Sequence, residues 1–478
     1  MFNASWMNAC KEWTPCWDHQ PMANNAMKLQ SPLLLPLLLC ATSAVAQPFA
    51  TLDARSMAMG DTGVASAQPG TAALFNPALL SYNSDGETIH IILPNLGVSV
   101  FADPDALDAY NEIEDEAYID NIDIAIQGME NPDNQADFIR NKEQFTNNSR
   151  SLSSNLNELS EQPFRINAAG FASVAIPTKA LGLAVFANVN ATIETTPIVT
   201  DCDTELLNDY VDFFESVQTE AELYIAASTN PTAGCNDTPI AVQSGASVII
   251  TDPSDDLTSE VIVAGVTISE LGIAIAHDFR LFGKDVSLGI TPKLQTITSY
   301  YATPSVQQLD DDNYDLADEL EDSENDDSDV NLDIGLATSF LSDSLTVGLT
   351  IKNIIANQYE TSVSPRTGRA VTFDVDTQAR LGVAWDAPAG LTFAADLDLT
   401  KNKPFFLGED TQFLGVGVEW DVASMIRLRG GLRSNLADAD DQAITAGLGF
   451  NIIAVYFDLG AQFSENNAGG ALQVGVQF

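Results

Sequence analysis

Between residues 86 and 478 the chain contains many runs of nine to eighteen residues in which every second residue is apolar, the period of a β-strand with one apolar face. Leu391, Phe393, Ala395, Leu397 and Leu399 alternate with Thr392, Ala394, Asp396, Asp398 and Thr400. Leu345, Val347, Leu349 and Ile351 do the same, as do Leu332, Ile334 and Leu336, and Val455, Phe457 and Leu459. The last run, Leu472, Val474, Val476 and Phe478 against Gln473, Gly475 and Gln477, ends the chain on an aromatic residue. No stretch after residue 46 stays apolar for the ~20 residues that a membrane helix needs. The period by itself fits a soluble sandwich as well as a barrel.

The connections separate the two. Short links near 177–180, 279–284, 341–344, 387–390, 421–424 and 451–452 alternate with long or polar ones. The long ones lie near 94–162, 194–260, 301–328, 355–375, 401–410, 434–441 and 464–469. Six turns and seven loops predict fourteen strands, an even number, in a closed transmembrane antiparallel β-barrel with periplasmic turns and outer loops. Closure also satisfies every backbone N–H and C=O, which lipid cannot do. Leu96–Phe101 is open to reading as an additional strand inside the first loop.

Charge follows the same division. The net charge is −47, which argues against nucleic acid as a partner. Segments 94–162, 194–260 and 301–328 hold 15, 14 and 11 acidic residues against three basic ones, Arg140, Lys142 and Arg150. Acids keep out of the rows assigned to lipid and gather where the loops meet water.

The start of the chain reads as an export signal. Met27-Lys28-Leu29, the apolar run Leu33–Leu39 and Ala44-Val45-Ala46 form a signal peptide over 27–46, cleaved after Ala46. Residues 1–26 precede it without periodicity and read as a misassigned start. Cys40 is set aside as a lipidation site because bulky Leu39 precedes it. Beyond residue 46 the only cysteines are Cys202 and Cys235, and two cysteines in one exported loop predict a disulfide.

Residues 47–85 are not strand-like. Ala54-Arg55-Ser56-Met57-Ala58-Met59-Gly60 and Ala72-Ala73-Leu74-Phe75-Asn76-Pro77-Ala78-Leu79 are small-residue segments of helical character. With Arg55, Gly60 and Asn76-Pro77-Ala78 as the motif, this stretch resembles the N-terminal hatch of the long-chain fatty acid transporter (FadL-type) superfamily. The arrangement is similar to its conjugal-transfer TraF-type branch. The resemblance implies a barrel over 86–478 plugged from inside by residues 47–85. It also implies, in transporting members, a hydrophobic ligand captured by outer loops and released through a lateral opening. The outer membrane of a Gram-negative bacterium is the expected location, with its lipid, its lipopolysaccharide and the barrel assembly machinery as partners. Phe478 is the expected assembly signal. The alternative function is a non-transporting component of an envelope apparatus for conjugation or secretion, in contact with its other proteins.

Three constellations carry candidate chemistry. With Ile426 and Leu428 facing lipid, Arg427, Arg429 and Arg433 face the lumen, as do Arg380, Asp396, Asp398 and Glu419. These charges form either a selectivity filter or an ion-pair network that holds the hatch. Asp310, Asp311, Asp312 and Asp315 offer carboxylates to Ca²⁺ or Mg²⁺, although Leu316 stands where an EF-hand turn needs glycine; otherwise they form a solvated acidic loop. The outer row Ile262, Ala264, Val266, Ile268 passes to Leu271, Ile273, Ile275 near Glu270, which predicts a β-bulge or kink. By the resemblance, Glu270 and Gly272 become gate candidates. For an enzyme the chain is poor: His90 and His277 lack triad partners, and no phosphate loop or paired-cysteine motif occurs.

Overall fold

The computed structural model describes residues 52–478, except 83–87, 282, 311–312, 407–409, 423–424 and 439–440. The expected start segment and signal peptide, the two ends of the hatch, Asp311 and Asp312 lie outside the described residues. Alternation puts one face of each strand against the interior, and fourteen such strands close on themselves. In chain order they are β1 (His90–Phe101), β2 (Phe164–Ile176), β3 (Gly182–Ile198), β4 (Glu260–Leu281) and β5 (Lys284–Ala302). β6 (Asn325–Phe340), β7 (Leu345–Lys352), β8 (Gln378–Ala387), β9 (Leu391–Asp398) and β10 (Phe413–Asp421) follow. β11 (Ile426–Asn435), β12 (Gln442–Ile452), β13 (Val455–Phe463) and β14 (Asn467–Gln477) complete the wall. Every neighbour is antiparallel, and β1 pairs with β14 to close the cylinder. Phe478 extends that seam, its N–H donating to Ile89 O at 3.1 Å.

The fourteen-stranded antiparallel barrel expected from the link lengths is therefore present. Leu96–Phe101 is the second half of β1, continuous in the same ladder after a shift between Ile92 and Asn95. Outward rows carry exposed Leu271, Ile273, Leu294, Phe393, Leu432, Ile444, Leu459 and Phe463. Such a surface suits hydrocarbon. Among the described residues no helix is long and apolar enough to cross a membrane.

The predicted loops depart most from expectation. The β1–β2 and β3–β4 links are a helical cap with its own core. They contain α3 (Pro104–Glu116), α4 (Tyr118–Glu130), α5 (Gln135–Leu159), α6 (Asp201–Ser216) and α7 (Glu220–Ala227), after two short hatch helices, α1 (Ala54–Met57) and α2 (Ala72–Phe75). Ile122, Ile126 and Met129 follow helical spacing on α4 and bury against Phe138, Phe145, Leu207, Tyr210 and Phe214. The Phe145 and Phe214 rings meet edge to face at 4.9 Å. Side-chain caps from Asp103, Asn134, Thr200 and Thr219 start four of these helices. The abundant acids occupy the outer faces, so polarity hid a helical period. The three cap cations are used internally: Arg140 pairs with Asp137, Arg150 with Glu215, and Lys142 donates to Val217 O at 2.9 Å.

A disulfide closes the cap on itself, and a buried carboxylate ties it to the wall. Cys202 on α6 is disulfide-bonded to Cys235. Asp203, 1% exposed, accepts from Thr258 N at 2.8 Å, Thr258 Oγ1 at 2.8 Å and Ser259 N at 2.7 Å, just before β4. Asp203→Ala strips the acceptor from several buried donors and is expected to loosen the cap by about 1–3 kcal/mol. Hydrogen exchange of α6 checks this; unchanged protection rules the staple out.

A second contact, between two carboxyls, is expected to make the cap sensitive to pH. The Asp123 carboxyl is pushed up to about 6, first by its hydrogen bond to Asp252. A carboxyl raised in the folded state stabilises fully below its unfolded value near 4, and that contribution is lost as pH rises through 6. Protection factors in 252–256 are therefore expected to fall between pH 5 and pH 7, and Asp123→Asn is expected to abolish the dependence.

The Asp-rich segment is also partly regular. α8 (Val306–Asp310) and α9 (Leu316–Asp322) precede β6, and Asp326 and Asp327 already belong to that strand.

Candidate functional site: hatch and lumen

Residues 52–82 fill the lumen, and small residues explain how. Wall glycines face the hatch backbone directly. A Cβ on Gly415 would stand 2.0 Å from Gly60 O, one on Gly417 2.3 Å from Met59 O, and one on Gly460 2.3 Å from Ala54 O. Gly60 itself has φ of +68° and would push a Cβ to 2.4 Å from Leu432 O, so glycine is required there twice over. Asn76, wholly buried, accepts from Ala78 N at 3.1 Å and donates to Val64 O at 2.9 Å and to Leu336 O of β6 at 3.1 Å. Pro77 and Ala78 then begin the 3-10 turn that Asn76 caps. The Asn-Pro-Ala motif is thus a clasp between hatch and wall. Around it Leu74, Phe75, Leu79 and Leu80 bury against Ile92, Phe171, Phe186 and Tyr456.

The predicted lumen charges face inward and meet. Glu419 and Arg429 are cross-strand partners, with Nε to Oε2 at 2.6 Å. Arg55 of the hatch grips the same carboxylate through Nε at 3.0 Å and Nη2 at 3.2 Å. Arg429 also reaches past β12 to Asp458 at 2.6 Å. Gly449 leaves the room for that reach, because a Cβ there would lie 2.5 Å from Asp458 Oδ1. Arg380 pairs with Asp398 at 2.5 Å and donates to the hatch at Asp61 O. Arg433 binds Asp61 Oδ2 at 2.8 Å. Asp396 accepts from Gly63 N at 2.8 Å and Val64 N at 2.9 Å. Arg427 stands apart, half-buried and 3.9 Å from Asp421. Glu419, Arg380, Arg433 and Asp396 each contact residues 55–64 directly.

Across the lumen a second cluster forms around a gate candidate. Glu270 binds Lys293 at 2.8 Å, and Lys293 also binds Asp333 at 3.0 Å. Asn188 and Gln295 donate to Glu270 at 3.0 and 2.8 Å. The expected bulge near Glu270 is absent. β4 keeps one register with β3 from Glu260 to Ala276 and one register with β5 on both sides of Gly272. Gly272 faces the Phe186 ring, 2.5 Å from where its Cβ would be. The correction has a physical cause. Val266 and Ile268 share the inward row with Glu270, and they are apolar because aromatics from the loops cover them.

That cover forms an apolar cluster inside the loop end of the barrel. Val266 and Ile268 of β4 and Ile297 of β5 bury against Tyr359, Phe373 and Val375 of the β7–β8 hairpin and Phe405 of the next loop. Phe373 meets Phe405 at 5.7 Å and Tyr359 at 5.8 Å. Tyr359 OH donates to Asp329 at 2.7 Å, which fixes the hairpin over the mouth.

Other sequence candidates are placed as follows. Asp315 caps α9, accepting from Ala317 N at 2.9 Å, and Asp310 ends α8. Among the described residues no group of three or more His, Cys, Asp or Glu side chains is arranged to hold a metal. Sequence reasoning did not single out Asp61, Asp458, Lys293 or Asp333. Asp458 and Asp333 stood in the inward phase and were within reach of that argument; Asp61 lies in a segment with no period.

Comparison with known proteins follows this geometry. No curated protein matches the chain. Among solved structures, the chain is similar to the Pseudomonas putida toluene transporter TodX, at 11% identity over 88% of this chain and 96% of that one, TM-score 0.40. A Pseudomonas aeruginosa FadL homologue shares 10% identity over 89% and 98%, TM-score 0.42. A TodX deltaS2S3 mutant monoaromatic hydrocarbon channel shares 11% over 89% and 97%, TM-score 0.43. The family described as F plasmid transfer operon, TraF, protein matches residues 73–398, from the second hatch helix to the end of β9. With about two thirds of its length so matched, the chain belongs to the TraF family.

Proposed function

We propose that this barrel sits in the outer membrane of a Gram-negative bacterium and takes a small hydrophobic molecule into its outer mouth. The observation that supports this most is the inward apolar row of β4 and β5 beneath Tyr359, Phe373 and Phe405. An aqueous pore would line that level with polar side chains. Onward passage requires the hatch to leave its clasp and ion pairs, which places control at Arg55, Asp61 and Asn76.

Organic extraction of the purified protein followed by mass spectrometry tests the reading. A hydrophobic molecule is expected with the native chain and is expected to be lost from Ile268→Glu, which puts a charge into the cluster. Extracts free of any such molecule, or equal loading of the variant, overturn it. A second reading, a non-transporting component of an envelope apparatus such as conjugal transfer, is favoured by the folded acidic cap and by a hatch held through charged pairs. Specific crosslinking of the cap to another envelope protein, with no extractable molecule, selects that reading.

A further inference from the structure

We infer that the β7–β8 hairpin is a hinged lid that opens onto the apolar row of β4 and β5, with the ion pair between Arg366 and Glu260 as its latch. The inference rests on the reading of the outer mouth as a site for a hydrophobic molecule, and it names what regulates that site. The hairpin is built to move as a unit. Its strands, Asn357–Glu360 and Thr372–Val375, form a sheet of their own and, among the described residues, pair only with each other. A two-stranded sheet is marginal in water without a surface to lie on. Alternation supplies one face for that surface: Tyr359, Phe373 and Val375 are buried against the barrel, whereas Gln358 and Glu360 are exposed.

The stem is held differently from the tip. Asn353, with φ of +51°, donates its N–H to Asp333 Oδ1 at 2.9 Å. Ile355 exchanges hydrogen bonds with the Asn331 side chain at 2.9 and 3.1 Å, and Thr377 Oγ1 donates to Asn353 O at 2.8 Å. Beyond the stem, side chains make the polar contacts. Asn325 Nδ2 donates to Glu360 O at 2.9 Å, Tyr359 OH to Asp329, and Ser364 Oγ meets Thr303 Oγ1 at 2.7 Å just after β5. Arg366 donates to Thr303 O and to the Glu260 carboxylate at the start of β4. That pair lies at the rim, its side chains 32% and 20% exposed, where water weakens it. Breaking these contacts frees the tip while the stem keeps its own. Opening into water uncovers rings and row together, which apolar burial opposes. A hydrophobic molecule lying on Val266, Ile268 and Ile297 keeps the row dry, and in the closed state the rings fill that place. Such a molecule binds the open state alone and shifts the hairpin toward it.

The test is the alkylation rate of Ile297→Cys by iodoacetamide in the full chain, read by mass spectrometry on the peptide that carries residue 297. Ile297 is 1% exposed with the lid closed. Arg366→Gln is expected to raise the rate about fivefold, the worth of a rim ion pair, with heat-modifiable migration of the barrel unchanged. Thr303→Cys/Ser364→Cys, once oxidised, is expected to lower it about thirtyfold or more, since it ties the tip to the wall where the two hydroxyls already touch. Equal rates in all three chains overturn the lid, as does alkylation that rises only when the barrel loses its migration. If the double cysteine fails to fold or oxidise, Glu260→Gln decides. It is expected to match Arg366→Gln and to add nothing to it, and rates that multiply in the double variant overturn the latch. Organic extracts of the same chains separate the lid from the reading beneath it. A hydrophobic molecule in Ile297→Cys and little in the oxidised chain supports control by the lid, and equal loading overturns that control. No molecule in either chain removes the transport reading, while the alkylation rates still decide the lid.

Discussion

Glu419→Ala is expected to destabilise the protein by about 3–5 kcal/mol, the range for removing one partner of a buried ion pair. One carboxylate serves two guanidinium groups here, Arg55 of the hatch and Arg429 of the wall. Without it both remain buried; Arg429 keeps its ion pair with Asp458, whereas Arg55 loses its ion pair and keeps a hydrogen bond to Ser66 O. Damage should therefore concentrate in the hatch. Glu419→Gln keeps the shape and one acceptor oxygen and should fall between the two. Urea unfolding followed by tryptophan fluorescence gives the magnitude, and protease cleavage between residues 52 and 82 gives the location. A change under about 1 kcal/mol, with the hatch still resistant, would mean that the network contributes no net stability, an outcome known for buried pairs replaced in other proteins.

Gly415→Val is expected to unseat the hatch while leaving the barrel closed. The new Cβ would stand 2.0 Å from Gly60 O and 3.1 Å from Gly60 C. Backbone cannot swing aside as a long side chain can, and overpacking of this kind costs about 1–3 kcal/mol. Gly430→Ala is the control, since its Cβ meets nothing nearer than Thr445 O at 3.8 Å. Planar-bilayer conductance distinguishes the two: raised, fluctuating conductance for Gly415→Val and native behaviour for Gly430→Ala. Identical traces would show that the wall tolerates a side chain where the hatch lies against it.

How much of this was legible beforehand varied with the local pattern. Strand rows were readable because a lipid-facing residue and a lumen-facing residue must alternate, which exposes both Leu397 and Asp398 to the same rule. The same rule placed Arg380, Glu419, Arg429 and Arg433 inside. It misled on β4. Val266 and Ile268 are apolar and so were assigned to lipid, whereas loop aromatics folded into the mouth give apolar residues an inward home. The cap escaped notice for a related reason. Its helices bury Phe138, Phe145 and Phe214 at helical spacing, but the intervening acids dominate composition, and composition was taken for loop.

Some facts belong to the chain alone. A two-residue period, link lengths that alternate short and long, and a terminal aromatic strand are local properties, set by backbone geometry and by which solvent each face meets. They determined an even-stranded closed barrel. Partnership across the lumen was decided only by the folded wall. Arg55 and Glu419 lie 364 residues apart and meet because register and shear bring β10 beneath the hatch. Arg429 reaches Asp458 only because Gly449 on β12 leaves an open path. No periodicity records such distances, since a strand's alternation states which way a side chain points and never what it will find there.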